Sequence, residues 1–229
     1  MLAIAYRNLI GQPTGPGKGI DRAVRQVFAQ ADRSARRKLQ HFASESLVRD
    51  LLEVESIVTS SPWPLTRNRD GKPTPLASNG QSAIEVSISH SGPLALAGIT
   101  NLGEIGVDVE YRISRRSVSE IAAYAFGPQE QQAVESAGPG AFYRIWTLRE
   151  ALAKACGIGF PMLADGRDYF PEALSSGSWQ TTIDGREWLF STGDLLGDYA
   201  FSVAIALRSP LDVHCEAELT PRQIVSGAN

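Results

Sequence analysis

The sequence has little cysteine and no long hydrophobic run. Only Cys156 and Cys215 are cysteines among 229 residues, and they form no Cys-x-x-Cys pair, so neither a disulfide framework nor a cysteine-ligated zinc site is indicated. No apolar stretch approaches the roughly 20 residues that a membrane-spanning helix needs. Residues 1–10 contain Arg7 and no small-residue cleavage pattern, which argues against a secretory signal. We therefore expect a soluble cytoplasmic protein.

An excess of one charge is also missing. Lys and Arg together number 22 and Asp and Glu 25, which gives a formal net charge of −3. A dedicated nucleic-acid binder carries a broad basic excess, so this class is not indicated and any basic site must be local. Hydrophobic residues at 43% and charged residues at 21% are close to the averages of globular proteins, and the chain can therefore build a packed core.

A nucleotide-binding P-loop is absent as well. The segment 11–19 is rich in glycine and proline and contains Gly17-Lys18, but Gln12 stands where the first glycine of a P-loop would be. Gly19 follows the lysine in place of the Ser or Thr that such a loop uses to bind its metal. We therefore interpret this segment as a flexible loop.

Hydrophobic periodicity predicts both helices and strands. Spacings near three and four predict two helices within residues 21–54, with core-facing side chains at Val24, Val27, Phe28, Leu39, Phe42, Leu47 and Leu51. Three later helices are predicted, at residues 117–126, 128–136 and 140–156. Alternating apolar residues predict six strands, at residues 2–6, 84–88, 94–99, 105–111, 188–191 and 199–207.

The order of these elements predicts an α+β fold, because regular β–α–β alternation is missing. Short turns at residues 91–93 and 101–103 favour antiparallel pairing among the strands they join. We assign Gly193 and Gly197 to the connection between the last two strands, and residues 219–229 to a frayed tail.

Two carboxylates lie two residues apart on the strand predicted at 105–111. Side chains alternate along a strand, so Asp108 and Glu110 share one face while Val107, Val109 and Tyr111 share the other. One interpretation is a half-buried strand with a polar outer face. Neighbouring like charges repel unless a cation or a basic side chain compensates them, so a site for a positive ligand is the other interpretation.

A third carboxylate lies on the helix predicted at 140–156. Glu150 precedes Lys154 by one turn and follows Trp146 by one turn. A Glu–Lys pair at this spacing is usually a surface ion pair that contributes about 0.3–0.5 kcal/mol. A large aromatic side chain on the same face, however, indicates that the face is at least partly covered. The neighbouring, apolar side of this helix would consist of Phe142, Ile145, Leu148 and Leu152.

His90 ends the strand predicted at 84–88, between Ser89 and Ser91. A catalytic Ser–His pair is one interpretation, although no Gly-x-Ser-x-Gly elbow occurs and adjacent strand residues point to opposite faces. A histidine held by local hydrogen bonds is the other. With Lys72 and Lys154, His90 would supply the positive side of a phosphate site.

Together the three carboxylates Asp108, Glu110 and Glu150 suit a hard cation such as Mg²⁺. This ion prefers oxygen ligands and commonly shares its coordination shell with substrate phosphates. Spacing alone does not show that the three side chains meet.

Four short motifs follow one another between about residues 63 and 160: Gly71-Lys72-Pro73, Ser87-Ile88-Ser89-His90-Ser91, Gly106-Val107-Asp108-Val109-Glu110 and Trp146-Thr147-Leu148-Arg149-Glu150-Ala151-Leu152-Ala153-Lys154. In this order the sequence resembles the Sfp-type 4'-phosphopantetheinyl transferases. The resemblance implies two similar α+β halves, residues 1–103 and 104–229, related by a pseudo-twofold axis with coenzyme A in the cleft between them. It also implies the activity: the 4'-phosphopantetheine arm of coenzyme A moves to a serine hydroxyl of an apo acyl or peptidyl carrier protein, and 3',5'-ADP is released.

The resemblance also implies roles for the acidic motif residues. Asp108, Glu110 and Glu150 would bind Mg²⁺ against the coenzyme A pyrophosphate. Glu150 would accept the serine proton or position the base that does so. Lys154 would meet the pyrophosphate and stabilise the leaving group. The catalytic residues predicted in this way are Glu150, Lys154 and Asp108.

For the nucleotide, the resemblance implies contacts from the first half of the chain. Ser89 and His90 would contact the phosphates of the adenosine part, and Lys72 would lie in the loop that covers the nucleotide. The basic residues at 36–38, Arg36, Arg37 and Lys38, are candidates for a further phosphate contact, with a solvated helix face as the alternative.

One position departs from the family pattern. Arg149 stands where many relatives carry Lys before the helix glutamate, and arginine keeps the charge but not the shape of lysine. The contact made by this side chain therefore does not follow from the resemblance.

A basic cluster follows the carboxylate strand. Arg112, Arg115 and Arg116 precede Tyr124 and Phe126 by about ten residues. Because carrier proteins of this kind are typically acidic, we predict that the three arginines contact an acidic carrier-protein helix, with Tyr124 or Phe126 nearby as an apolar contact; a solvated arginine loop is the alternative. Since both halves of the cleft would belong to one chain, we expect a monomer.

Two other function classes remain as alternatives. The first is a non-catalytic protein that binds coenzyme A or a carrier on the same scaffold, and the second is a small serine hydrolase. The sequence does not indicate whether the carrier serves fatty-acid, polyketide or nonribosomal-peptide synthesis.

Overall fold

The structure, a computed structural model, describes residues 2–8, 32–54, 65–67, 72–75, 84–113, 117–159, 164–170, 176–209 and 221–223. These segments contain helices together with mostly antiparallel sheets, which confirms the predicted α+β class. The loop predicted at 11–19, the helical segment up to residue 31 and residues 68–71 lie outside the described residues. Among the described helices, none is long and apolar enough to cross a membrane.

The first sheet has four strands and one covering helix. In spatial order its strands are β10 (Arg222–Gln223), β1 (Leu2–Asn8), β5 (Leu94–Thr100) and β4 (Glu85–Ser91). β4 and β1 are antiparallel to β5, whereas β10 runs parallel to β1. Helix α1 (Arg33–Val54) covers the sheet, because its apolar stripe at Leu47, Val48, Leu51 and Leu52 packs against the alanines, Val86 and Ile99 of the strands. A short separate hairpin joins β2 (Leu65–Arg67) to β3 (Pro73–Pro75).

The second sheet is fully antiparallel. In spatial order its strands are β6 (Gly103–Tyr111), β9 (Tyr199–Leu207), β8 (Arg186–Leu195) and β7 (Gly177–Ile183). Three helices follow β6 in the chain: α2 (Val118–Ala125), α3 (Pro128–Ala137) and α4 (Pro139–Cys156). α4 ends at Gly157, whose left-handed φ of 70° is a conformation that glycine adopts without strain.

Apolar clusters join these elements in four layers. The stripe of α1 packs on one face of the first sheet. The other face, including Leu94 and Leu96, packs against Val107, Val109 and Val203 of the second sheet. The remaining face of the second sheet packs against α2, α3 and α4. Burial of apolar area in the three interfaces between these layers is the main stabilising contribution to such a fold.

Most predicted elements are confirmed, with ends shifted by a few residues. The three later helices and all six strands are present, and the apolar side predicted for α4 is buried. Leu47 and Leu51 are buried as predicted, but Leu39 is 52% exposed and Phe42 is 73% exposed, so their assignment to the core was wrong. At 3.6 residues per turn these two positions fall on the side of α1 opposite the stripe of Leu47, Val48 and Leu51.

Other details of the strand prediction are corrected. The chain crosses from one sheet to the other between β5 and β6, so only the pair β4–β5 is antiparallel as predicted. Gly193 lies inside β8 and not in the connection to β9. Part of the predicted frayed tail, Arg222–Gln223, forms β10. Strand β7 was not predicted, because its side chains are largely exposed and show no apolar alternation.

Candidate active site

The candidate site lies where helix α4 contacts strand β6. Gly106 permits this contact, because a Cβ atom at this position would lie 1.8 Å from the carbonyl oxygen of Ala151. Any other residue would force the helix and the strand apart. Glu150 precedes Ala151 on the helix and Asp108 follows Gly106 on the strand, so the close approach brings the acidic side chains of two elements to one place.

Asp108 is buried and does not belong to a polar outer face. The residue is 5% exposed, and its Oδ1 accepts hydrogen bonds from Lys154 Nζ at 2.7 Å and from Ser89 Oγ at 2.8 Å. Lys154 Nζ also donates to the carbonyl oxygen of Val107 at 3.1 Å. The second carboxylate oxygen, Oδ2, is buried and has no hydrogen-bond partner among the described residues. Of the two interpretations of this strand, a site for a positive group agrees with the structure.

Serine hydroxyls of β4 connect the two sheets beside this carboxylate. The hydroxyl oxygens accept hydrogen bonds from backbone N–H groups of β6 at 3.0, 3.3 and 2.9 Å, in the pairs Ser87 with Val107, Ser89 with Val109 and Ser91 with Tyr111. We call Ser87, Ser89 and Ser91 the serine ladder. Ser91 Oγ also donates to Glu110 Oε2 at 2.9 Å.

A cavity of about 790 Å³ opens at this junction. Its walls come from α1, the segment before β3, β4, β6, α4 and the turn that follows α4. The lining includes all seven predicted site residues: Lys72, Ser89, His90, Asp108, Glu110, Glu150 and Lys154. The structure therefore brings together residues that are distant in the sequence, while the role of each stays a prediction.

Glu150 has an unusual electrostatic environment for a carboxyl group. Desolvation by burial, with added repulsion from the Asp108 and Glu110 carboxylates, raises its pKa from 4.5 to about 7, although Lys154 acts in the opposite direction. A group whose pKa lies near neutral pH both accepts and releases protons readily under physiological conditions. The position of Glu150 thus suits proton transfer.

Two basic side chains line the cavity opposite the carboxylates, Lys72 from the segment before β3 and His90 from β4 of the first sheet. Lys72 Nζ lies 3.3 Å from Glu85 Oε2 of β4, and the Lys72 side chain is only 16% exposed. His90 lines the cavity wall, where desolvation lowers its pKa and the charge of Lys154 lowers it further, although a backbone hydrogen bond acts in the opposite direction. The hydroxyl protons of Ser89 and Ser91 go to carboxylates and not to His90, so the Ser–His pair of a hydrolase is not formed.

The carboxylates fit a hard cation by their chemistry, although they are not gathered around one point. Among the described residues, no group of three or more His, Cys, Asp or Glu side chains is arranged to hold a metal. The buried, unpartnered Oδ2 of Asp108 is an oxygen that a cation would satisfy, and Glu110 and Glu150 line the same cavity. Mg²⁺ needs only one or two protein carboxylates where substrate phosphates complete its shell.

Sequence reasoning missed two lining residues on α1, His41 and Ser44. Their spacing continues the sheet-facing side of Val48 and Leu51 towards the helix N-terminus, and a polar pair in line with an apolar stripe is the signal that was available. The basic candidates Arg36, Arg37 and Lys38 lie one turn earlier, and they are not among the described residues that line the cavity.

Arg149 does not contact the cavity. Its side chain and that of Glu130 are both 0% exposed, and the two form an ion pair in which Arg149 Nε donates to Glu130 Oε2 at 3.0 Å. The guanidinium lies between the rings of Phe126 and Tyr169, at 5.1 and 4.9 Å from their centroids. The departure from the family pattern therefore falls on a buried structural contact.

The structure describes part of the predicted carrier-binding cluster and excludes Phe126 as its apolar contact. Phe126 is 1% exposed and belongs to the core, and Arg112 forms an ion pair with Asp194. Tyr124 is 82% exposed and remains accessible. Arg115 and Arg116 lie outside the described residues.

The cavity thus brings basic side chains and carboxylates together on an α+β scaffold. Comparison of the sequence with known proteins gives a family likeness for part of the chain. Residues 104–204 match the ACPS family, described as the 4'-phosphopantetheinyl transferase superfamily. This segment of the chain is thus similar to the 4'-phosphopantetheinyl transferase superfamily, as its motifs predict, whereas the Sfp-type subdivision stays a prediction.

Individual relatives share parts of the chain. The protein slr0495 of Synechocystis sp. is 35% identical over 98 residues, 41% of this chain and 39% of its own. The 4'-phosphopantetheinyl transferase HetI of Nostoc sp. is 31% identical over 99 residues, 42% of each chain. The 4'-phosphopantetheinyl transferase AcpT of Salmonella typhi is 30% identical over 120 residues, 50% of this chain and 61% of its own. The chain thus spans between two fifths and three fifths of the length of these relatives.

Proposed function

We propose that this protein is a Mg²⁺-dependent 4'-phosphopantetheinyl transferase that acts on an apo acyl or peptidyl carrier protein. The observation that carries the proposal is the cavity of about 790 Å³ that contains the seven predicted site residues. The match of residues 104–204 to the 4'-phosphopantetheinyl transferase superfamily and the names of the relatives HetI and AcpT support it.

The proposed reaction is a phosphoryl transfer. The serine oxygen of the carrier forms a bond to the pantetheine-bearing phosphorus of coenzyme A. The bond from this phosphorus to the bridging pyrophosphate oxygen breaks, and 3',5'-ADP leaves with the electron pair. The serine proton passes to the Glu150 carboxylate or to a base that Glu150 positions, and the pKa of about 7 at Glu150 supports this assignment.

The other charged residues act on the pyrophosphate. Asp108, Glu110 and Glu150 would hold Mg²⁺, which neutralises charge on the phosphoryl oxygens when it is bound. Lys154 lies 2.7 Å from Asp108 and from there stabilises the charge that develops on the leaving phosphate. On the opposite wall, Lys72 and His90 bind the phosphates of the adenosine part.

The carrier would approach from the side of α2. Tyr124 is exposed there, and Arg115 and Arg116 precede the helix in the sequence. We assign these three side chains to the contact with an acidic carrier surface, because opposite charges speed encounter and orient docking. The two predicted halves, a cytoplasmic location and a monomeric state stay predictions.

The proposal is tested by the mass of an apo carrier protein after incubation with coenzyme A and Mg²⁺. The wild-type chain should add one phosphopantetheine to the carrier, and Glu150→Ala should abolish the gain. Glu135→Ala is the matched control, since Glu135 is an exposed residue of α3 outside the cavity lining. Coenzyme A binding by each variant, measured by calorimetry, separates loss of chemistry from loss of binding.

The alternatives predict other results in the same experiment. Coenzyme A binding by the wild-type chain without any mass gain, across fatty-acid, polyketide and nonribosomal-peptide carriers, would support a non-catalytic binding protein. Ester cleavage without added metal would support a hydrolase. A carrier mass gain that persists in Glu150→Ala would show that a residue other than Glu150 accepts the serine proton.

A further inference from the structure

The serine ladder places hydroxyl groups where a neighbouring strand would normally supply carbonyl oxygens. β6 is the end strand of the second sheet, and the ladder accepts the N–H groups of three of its residues, Val107, Val109 and Tyr111. Unpaired N–H groups at a sheet edge are unfavourable when they are buried. Pairing the strand edge is therefore a structural role that all three serines share.

Two of the three hydroxyls make a second hydrogen bond, and within the part of the chain that the structure describes the third makes none. Ser89 Oγ donates to Asp108 Oδ1 at 2.8 Å, and Ser91 Oγ donates to Glu110 Oε2 at 2.9 Å. At the position of β6 equivalent to Asp108 and Glu110, Ser87 faces Gly106, which has no side chain to accept a hydrogen bond. Ser87 can therefore serve as an internal control: it binds the strand backbone alone, whereas Ser89 and Ser91 bind the backbone and a carboxylate.

Proton counting shows what these two serines do. A hydroxyl group has one proton to donate, and the protons of Ser89 and Ser91 are directed at carboxylates. Ser89 therefore does not donate to a phosphate oxygen while it binds Asp108. Its hydrogen bond and that of Lys154 occupy Oδ1, which leaves the buried Oδ2 of Asp108 as the oxygen available to a ligand.

We infer that Ser89 and Ser91 are positioning residues that hold Asp108 and Glu110 in the orientation needed to bind the cation of the transfer reaction. The inference rests on the proposed function, because that function supplies the cation. Hydrogen bonds from outside the coordination shell fix the orientation of ligating carboxylates, and their loss commonly weakens metal binding by about tenfold or more. Ser87 pairs the strand edge only.

The test is Mn²⁺ affinity, measured by electron paramagnetic resonance on the full chain without coenzyme A. Ser89→Ala and Ser91→Ala should weaken Mn²⁺ binding by about tenfold. Ser87→Ala should bind Mn²⁺ as the wild-type chain does, although it loses the same kind of backbone hydrogen bond. Ser91→Thr, which keeps the hydroxyl, should restore the affinity. Urea denaturation of each variant selects those that fold, and the half-buried Ser91 tolerates substitution best.

Other outcomes overturn the inference. Equal Mn²⁺ affinity in all folded variants would show that the ladder only pairs strands. If Ser89→Ala binds coenzyme A more weakly in EDTA but binds Mn²⁺ as the wild-type chain does, Ser89 contacts a phosphate and does not position Asp108. If the wild-type chain takes up no Mn²⁺ either without or with coenzyme A, the metal part of the proposed function fails and the inference fails with it. If all variants bind Mn²⁺ with the wild-type affinity, the proposed function stands and only the inference about Ser89 and Ser91 is overturned.

Discussion

At the scale of single residues, two glutamates of the second half have opposite environments. Glu130 is fully buried, pairs with Arg149, and accepts backbone N–H groups of Tyr169 and Phe170 at 3.0 and 2.8 Å. Its charge is therefore compensated. Glu150 lies partly exposed among like charges, and its pKa is raised to about 7. The first glutamate stabilises the fold, and the second is available for proton transfer.

Replacing Arg149 tests the structural half of this contrast. In Arg149→Met the buried Glu130 carboxylate loses its charge partner, and we expect the free energy of unfolding to fall by about 3–5 kcal/mol, measured by urea denaturation. Arg167→Met is the control, because its partner Asp184 is 70% exposed and surface ion pairs contribute little. Equal, small losses in both variants would contradict the structural role of Arg149.

Replacing Glu150 tests the reactive half through the pH dependence of stability. Its pKa is 4.5 ordinarily and about 7 in the folded chain, so between these values the unfolded chain releases the proton that the folded chain keeps. The folded wild-type chain should therefore lose stability relative to Glu150→Gln as the pH rises from about 4.5 to about 7, with no further change above. Urea denaturation in EDTA measures this difference, and a difference that is constant with pH would refute the raised pKa.

Adjacent motif residues show what the sequence allows to be predicted at this scale. Glu150 and Arg149 follow one another in one motif, yet one lines the cavity and the other is buried on a different side of α4. The motif identified Glu150 as a site residue. The partner of Arg149, Glu130, is 19 residues away on a separate helix, and only the packing of α3 against α4 brings it into contact.

At the scale of elements, the spacing between α4 and β6 determines the geometry of the site. Gly106 is required there because the backbone of α4 leaves no room for a Cβ atom. The same two elements carry Asp108, Glu110, Glu150 and Lys154. A small change in their separation therefore moves both sides of the cavity.

Gly106→Ala tests this spacing. We expect the free energy of unfolding to fall by at least about 3 kcal/mol, the upper part of the range for overpacking, together with loss of transfer activity in any molecules that fold. Gly140→Ala on α4 is the control: a Cβ atom there meets nothing within 4 Å, so stability should change by less than about 1 kcal/mol. A stable and active Gly106→Ala would contradict the required close approach.

Helices and strands were predicted correctly where apolar periodicity was strong. The prediction failed where contact with a neighbouring element determines which side is buried or whether a strand forms. β9 is buried along its whole length and α4 along one side, and their apolar patterns were sufficient to predict both elements. For α1, apolar residues occur on two sides, and the sheet selects the side of Leu47 and Leu51 over that of Leu39 and Phe42. The exposed strand β7 is held by pairing with β8, which leaves no periodic signal in its own sequence.

At the scale of the whole molecule, the two sheets meet through an apolar cluster and through the serine ladder. The cavity lies beside this contact, with Lys72 and His90 on the side of the first sheet and the carboxylates on the side of the second. The division into halves 1–103 and 104–229 stays a prediction, and β10 returns from the second segment to pair with β1. A relation between the halves by a pseudo-twofold axis stays a prediction.

The contact with a carrier protein also belongs to this scale. Reversal of charge in Arg115→Glu/Arg116→Glu should raise the KM for the carrier while coenzyme A affinity stays unchanged, because opposite charges steer docking. Arg49→Glu is the control, since Arg49 is exposed on α1, in the outer layer on the far side of the molecule. A carrier KM that is equal in both variants would exclude the basic cluster from the contact.

The central claim is that the cavity between α4, β6 and β4 transfers phosphopantetheine. Its most direct test is the amount of 3',5'-ADP released by the wild-type chain, measured by chromatography beside the intact mass of the carrier, with Mg²⁺ and with EDTA. The account predicts one 3',5'-ADP for each phosphopantetheine added, and neither product in EDTA. A carrier of unchanged mass with no nucleotide released, in a sample that binds coenzyme A and Mg²⁺, would contradict it.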